Sequence, residues 1–168
     1  MMDESTQALA ARLGELLLAR GWRLALAESC TGGGIAAAVT DVAGSSAWFD
    51  RAYVVYSASA KQDVLGVPAE MIARFGVVSE EVARAMARAA LHRAGVDVAL
   101  AVTGLAGPSG GSPQCPVGTV CFAWGCPGSM LVARTVHFEG DRHAVRTQAV
   151  RFALNALIEC LSSCIDPP

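Results

Sequence analysis

The apolar positions fall into blocks of two periods. Between Thr6 and Arg20, Leu9, Leu13, Leu16 and Leu17 recur at helical spacing and Gly21 follows, which predicts an amphipathic helix ending there. Arg23 to Ala27 is a short apolar run suited to a strand, and Ile35 to Thr40 is a small-residue helix. Arg51 to Tyr56 reads as a second strand and Ser57 to Leu65 as a short helix. Ser79 to Ala94 is a strong helix, with Ser79 as its cap and Glu80-Glu81 at its positive end. Asp97 to Val102 is almost continuously apolar, as expected of a strand covered on both faces. Val117 to Trp124 and Met130 to Phe138 predict a hairpin around Gly125-Cys126-Pro127-Gly128, and Asp141 caps a last helix running to about Ser162. Helices that alternate with strands early, and a hairpin that comes late, predict an α/β fold: a three-layer α/β/α arrangement with a mixed sheet. The 168 residues suit one domain spanning 1–168, with no internal repeat and no linker.

Composition narrows the functional classes. Hydrophobic residues make up 53% and charged residues 17%, so the chain is expected to be ordered. A net charge of −2 offers no sequence-independent grip on nucleic acid, although one local basic patch would suffice for a nucleotide. No apolar run approaches the roughly 20 residues that cross a bilayer. Met1-Met2-Asp3-Glu4 lacks the basic flank and apolar centre of a signal peptide, so a cytoplasmic location is expected. The six cysteines include no CxxC pair. Cys160 and Cys164 lie one helical turn apart, but no matching second pair appears, so no metal is expected and most cysteines read as small apolar residues.

The polar chemistry is concentrated in the irregular segments, three of which directly follow strands. In open α/β sheets ligands bind beyond the carboxyl ends of strands, so these loops can share one site. Ser29-Cys30-Thr31-Gly32-Gly33-Gly34 sets two hydroxyls beside backbone N–H groups that an anion could approach; the same residues also suit a capped turn. In Tyr56-Ser57-Ala58-Ser59-Ala60-Lys61, Ser57 and Lys61 share a helix face at i, i+4. Lys61 reads either as a solvated surface residue or as a general base, and it is the chain's only lysine among thirteen basic residues. Arginine is used everywhere else and does not deprotonate, which gives the base reading its weight. The loop from Thr103-Gly104 to Pro116 either packs, binds or stays mobile. Arg142 and Arg146 lie one turn apart and suit a phosphate or solvent equally, with His143 between them. Ser45 and Ser46 in Gly44-Ser45-Ser46-Ala47-Trp48-Phe49 read locally as a helix stop.

Taken together these stretches resemble the CinA C-terminal domain family. The resemblance rests on Ala27-Glu28-Ser29-Cys30-Thr31-Gly32-Gly33, Gly44 to Phe49, Tyr56-Ser57 with Lys61, Gly76-Val77-Val78-Ser79-Glu80, Thr103 to Pro108, Gly110 to Pro113 with Pro116 to Val120, and Gly140-Asp141-Arg142. The motifs occur in order and cover essentially the whole chain. The family includes stand-alone nicotinamide-nucleotide amidases. The resemblance therefore implies hydrolysis of the carboxamide of nicotinamide mononucleotide by a Ser/Lys dyad, without metal or cofactor. It implies Lys61 as base, Ser29 or Ser46 as nucleophile, and Tyr56 at the catalytic centre. Thr31, Gly32, Gly33, Thr103, Gly104 and Arg142 would bind substrate, with oxyanion donors near Gly32 or Thr103-Gly104 and the 5′-phosphate on Arg142. The expected partner is a small nucleotide, with no nucleic acid and no membrane, and the chain is expected to form a homo-oligomer. Ala58 departs from the family pattern, which usually has an asparagine there, and Cys115 replaces an often charged residue. Competing readings are a non-catalytic domain that binds a pyridine nucleotide or a protein, and an amidase for another small amide.

Overall fold

The computed structural model describes residues 4–164; Met1 to Asp3, on which the signal-peptide expectation largely rests, lie outside the described residues. The elements are α1 (Glu4–Arg20), β1 (Leu24–Glu28), α2 (Gly34–Thr40), β2 (Phe49–Val54), α3 (Ala58–Leu65), α4 (Ala69–Phe75), α5 (Glu80–Ala94), β3 (Val98–Gly104), β4 (Thr119–Gly125), β5 (Val132–His137) and α6 (Arg142–Ser163), with a 3-10 turn at Ser45–Ala47.

The five strands form one mixed sheet in the order β2-β1-β3-β4-β5. β1 is parallel to both β2 and β3, whereas β4 runs antiparallel to β3 and to β5. All five residues of β1 are buried, because alternate side chains enter two different cores. Leu24 and Leu26 point into a bulky layer with Leu13 and Leu17 of α1, Leu100, Phe122, and Leu154 and Leu157 of α6. Ala25 and Ala27 face the other way, with Ala99 and Ala101, against Val82, Ala83, Met86, Ala87 and Ala90 of α5. Alanines on both sides let α5 lie close to the sheet, whereas leucine and phenylalanine fill the wider gap beneath α1 and α6. α3 and α4 pack beside α5, which completes the expected three layers.

Two elements escaped the sequence reading. α4 has only seven residues, too few to display a period, and half-buries Met71 and Ile72 against the α5 layer. The 3-10 turn at Ser45–Ala47 stands where a plain turn was expected, and it delivers Trp48 into the core at 1% exposure. Trp48 lies flat against α1 at Gly14, where a Cβ would come within 2.8 Å of the indole. Among the described residues no helix is long and apolar enough to cross a membrane.

Candidate active site at the carboxyl ends of β1 and β3

After β1 the chain visits one side of the sheet as β2 and then crosses to the other side as β3, so the point of divergence lies between β1 and β3. Ser29 and Thr103 sit there. The β1–β3 register pairs Glu28 with Val102, and the Ser29 N–H donates to the Val102 carbonyl at 3.0 Å, which sets Ser29 beside Thr103. Ser29 continues the alternation of Ala25 and Ala27 and therefore faces the α3/α5 layer.

Lys61 approaches from that layer. Ser57 caps α3 by accepting from the Ala60 N–H at 3.0 Å, and the helix then carries Lys61 inward to 1% exposure. Its Nζ lies 2.9 Å from Ser29 Oγ, 2.9 Å from the Val55 carbonyl and 3.4 Å from the Tyr56 carbonyl. Among the described residues it has no ion-pair partner. Burial without a carboxylate penalises the ammonium form and draws the pKa from the ordinary 10.5 down to about 8, against a small opposing effect of Cys30. The neighbouring thiol moves the other way: burial pushes Cys30 up to about 11, so it stays protonated and is no competing nucleophile.

Glu28 is a site residue to which the sequence reading assigned no role. It is fully buried, and its carboxylate accepts from Thr31 Oγ1 at 2.7 Å, the Ile35 N–H at 3.1 Å and the Ala36 N–H at 2.8 Å. It thus caps α2 from a distance, since Gly33 provides no side-chain cap and the first turn holds no acid. A signal was present in the sequence: a carboxylate ends a wholly apolar strand just ahead of an uncapped helix.

Glu28 alters the reading of the glycine turn. The Gly32 N–H donates to the Ser29 carbonyl at 2.9 Å and the Gly34 N–H to the Thr31 carbonyl at 3.0 Å. The N–H groups of Gly32, Gly34, Ile35 and Ala36 at the start of α2 are therefore already engaged by the chain's own turn bonds and by Glu28. Thr31 is buried and its hydroxyl donates to Glu28. Gly32 and Gly33 adopt φ of 59° and 87°, a conformation that permits the tight turn presenting Ser29. Gly104 is in a tight place, because a Cβ there would meet Val120 at 2.8 Å and Cys30 Sγ at 3.0 Å. The Thr103 hydroxyl donates to the Val77 carbonyl at 2.8 Å and ties the segment before α5 to the site.

Tyr56 and Arg142 form the outer wall. The Arg142 guanidinium donates to the Tyr56 phenol oxygen at 2.7 Å and to the Gly107 carbonyl at 2.8 Å. Arg142 opens α6, whose N-cap Asp141 accepts from the Ala144 N–H at 2.8 Å, so a fixed guanidinium stands at a helix's positive end. The phenol of Tyr56 lies on this exposed rim, and only its backbone carbonyl reaches Lys61 and Ser29. One turn on, Arg146 donates to the Thr31 carbonyl at 3.0 Å and pins the glycine turn to α6.

Ser46 is not part of this cluster. It is exposed on the 3-10 turn at the amino end of β2, whereas Lys61 contacts Val55 and Tyr56 beyond the carboxyl end. The strand between them keeps the two about 20 Å apart at roughly 3.3 Å per residue. Of the two candidate serines, only Ser29 meets the lysine. His143 is exposed and makes no contact with the pair among the described residues.

Comparison with known proteins agrees with this architecture. The model of the CinA C-terminal domain matches residues 6–161. A nicotinamide-nucleotide amidohydrolase PncC of Enterobacter agglomerans is 50% identical, the match covering 94% of this chain and 96% of that one. The protein of the same name from Pseudomonas putida is 51% identical over 94% of this chain and 98% of its own length. Among solved structures, a competence/damage-inducible protein from Agrobacterium tumefaciens superposes with a TM-score of 0.93 at 40% identity, covering 97% of this chain and 99% of that one. With its motifs, its sheet order and nearly all of its length accounted for, this chain belongs to the CinA C-terminal domain family.

Proposed function

We propose that this chain hydrolyses the carboxamide of nicotinamide mononucleotide to nicotinate mononucleotide and ammonia, with Ser29 as nucleophile and Lys61 as its base. The observation that carries the mechanism is the 2.9 Å contact between the Ser29 hydroxyl and a buried lysine that lacks an ion-pair partner. The substrate comes from relatives of about 50% identity named for that amidohydrolase activity.

In the neutral amine, two hydrogens point to the Val55 and Tyr56 carbonyls, which leaves the lone pair facing Ser29 Oγ. Lys61 takes the serine proton as Oγ attacks the carboxamide carbon. The resulting ammonium donates that proton to the departing nitrogen, the C–N bond breaks and ammonia leaves. A water then attacks the acyl-serine with Lys61 again as base, which releases the carboxylate and restores Ser29. With the Gly32 N–H bonded within its own turn, the Thr103–Gly104 end of β3 is the remaining candidate for oxyanion donation. Arg142, at the start of α6, takes the 5′-phosphate, and Tyr56 lines the path between phosphate and amide.

The same proposal has the enzyme act in the cytoplasm as a homo-oligomer on a free nucleotide, since a net charge of −2 favours no nucleic-acid partner. The test is ammonia release from nicotinamide mononucleotide by the wild-type chain and by Ser29→Ala, Lys61→Ala and Ser46→Ala. Loss in the first two with retention in the third supports the assignment. Nucleotide binding without ammonia release by the wild type would replace it with a binding-domain function.

A further inference from the structure

We propose that Cys126, Cys160 and Cys164 form a binding site for one thiophilic cation such as zinc, remote from the Ser29–Lys61 pair and independent of its function. In the sequence, Cys160 and Cys164 lack a companion pair. The fold supplies the missing ligand from β4, whose last residue, Gly125, is followed by Cys126. The hairpin turn holds Cys126 firmly: its N–H donates to Ser129 Oγ at 3.1 Å, and the Ser129 N–H and hydroxyl donate to its carbonyl at 3.1 and 2.8 Å. α6 ends against this turn and brings Cys160 and Cys164 on successive turns.

The three sulfur atoms lie within 4.8 Å of one another, with Cys126 Sγ and Cys160 Sγ at 3.3 Å and Cys126 joined to Cys164 as a disulfide, so the site belongs to the reduced chain. Zinc–sulfur bonds of about 2.3 Å in tetrahedral geometry set sulfurs about 3.8 Å apart, so a single ion can bind all three once reduction lets the Cys126 and Cys164 sulfurs separate to that spacing. A disulfide joins only two and leaves the third thiol unexplained. The Cα atoms of Cys126 and Cys164 are also 7.8 Å apart, beyond the roughly 4.4–6.8 Å that disulfides span. Two further features favour a cation. The carbonyl end of the 22-residue α6 is its negative pole. The cluster also lines a surface pocket of about 540 Å³ shared with Glu159 and Ser163, which offers an entry path and space for a fourth ligand, either water or the Glu159 carboxylate. The Cys126–Cys164 bond must first be opened by a thiol, dithiol or phosphine reductant, two electrons and two protons giving two thiols. Each of the three thiols then releases its proton to solvent on binding, and the zinc ion keeps its oxidation state. Eighteen residues of helix, about 27 Å at 1.5 Å each, separate Cys160 from Arg142.

The test uses the full chain, reduced with a phosphine, freed of metal and titrated with Zn²⁺ against a chromogenic chelator. A parallel Cd²⁺ titration reads the near-ultraviolet thiolate charge-transfer band. One equivalent is expected to bind per chain. Cys160→Ser should weaken binding by more than the roughly 10- to 100-fold seen when an outer-shell partner is removed, and Cys115→Ser should leave it unchanged. As a check independent of variant folding, one equivalent of Zn²⁺ should shield Cys126, Cys160 and Cys164 of the wild type from alkylation, read by peptide mass spectrometry. Absence of stoichiometric binding by the reduced chain, unchanged affinity in Cys160→Ser, or shielding at Cys30 or Cys115 instead would each overturn the site.

Discussion

A lysine buried beside a serine is held there against its own solvation. At neutral pH the Lys61 ammonium can donate to all three of its neighbours, Ser29 Oγ, Val55 O and Tyr56 O, and in that form it cannot accept the serine proton. kcat/KM for deamidation is therefore expected to rise tenfold per pH unit and level off near pH 8, the value to which burial draws Lys61. A pH–rate profile flat from 6 to 9 would exclude the lysine as base. Lys61→Arg should be as inactive as Lys61→Ala, down by about 10²–10⁴-fold in ammonia release, because a guanidinium keeps its proton. The same pKa shift has a thermodynamic counterpart. Unfolding restores an ordinary lysine pKa near 10.5, so between pH 8 and 10.5 the unfolded chain binds more protons and native stability rises with pH. This increment is on the order of 3 kcal/mol, present above the unfolded pKa and lost as pH falls to the folded one. Urea unfolding at pH 7.5 and pH 10 should show it in the wild type and not in Lys61→Met.

At the scale of elements, α2 depends on a residue outside itself. Glu28→Ala leaves the Thr31 hydroxyl and two amide hydrogens of the first turn without their acceptor, in a part of the fold where Glu28 and Thr31 are buried. A loss of about 2–4 kcal/mol in unfolding free energy is expected, with Glu28→Gln losing less because it keeps one acceptor oxygen. Since Ser29 is the next residue, ammonia release should fall with it. α1 carries a different constraint: Gly14→Ala would drive a methyl against Trp48, for an expected loss of about 1–3 kcal/mol in the same measurement. The elements legible beforehand were those with a repeated period. The leucines of α1 and the alternating Val/Ala/Met face of α5 repeat often enough to reveal a helix. α4, with seven residues, does not. Glu28 was visible as a charge closing an apolar strand, but the helix turn it caps was not, since an acceptor seven residues ahead of Ile35 belongs to no local capping pattern.

Across the whole molecule, the site is assembled from four separated parts of the chain: the ends of β1 and β3, the β2–α3 connection, and the start of α6. Arg142 is 86 residues from Tyr56, yet donates to its phenol. Arg142→Ala should raise KM for the mononucleotide about 10- to 100-fold, the equivalent of one or two charge-assisted hydrogen bonds, with a much smaller effect on the unphosphorylated riboside. Equal effects on both substrates in a steady-state assay would remove Arg142 from the phosphate role. By itself, the sequence determined the α/β class, most helices and strands, and the singular status of Lys61, because periodicity, chain punctuation and residue type are local properties. Which of Ser29 and Ser46 meets Lys61 was left to the tertiary structure. Both serines stand in turns of similar composition, and only the parallel order β2-β1-β3 puts one at the carboxyl end of the sheet with Lys61 and the other at the amino end. The fold likewise set Glu28 against the first turn of α2 and gathered three cysteines that are as many as 38 residues apart. Which groups meet depends on register and crossover, and these are set by burial of the two cores rather than by any segment read alone.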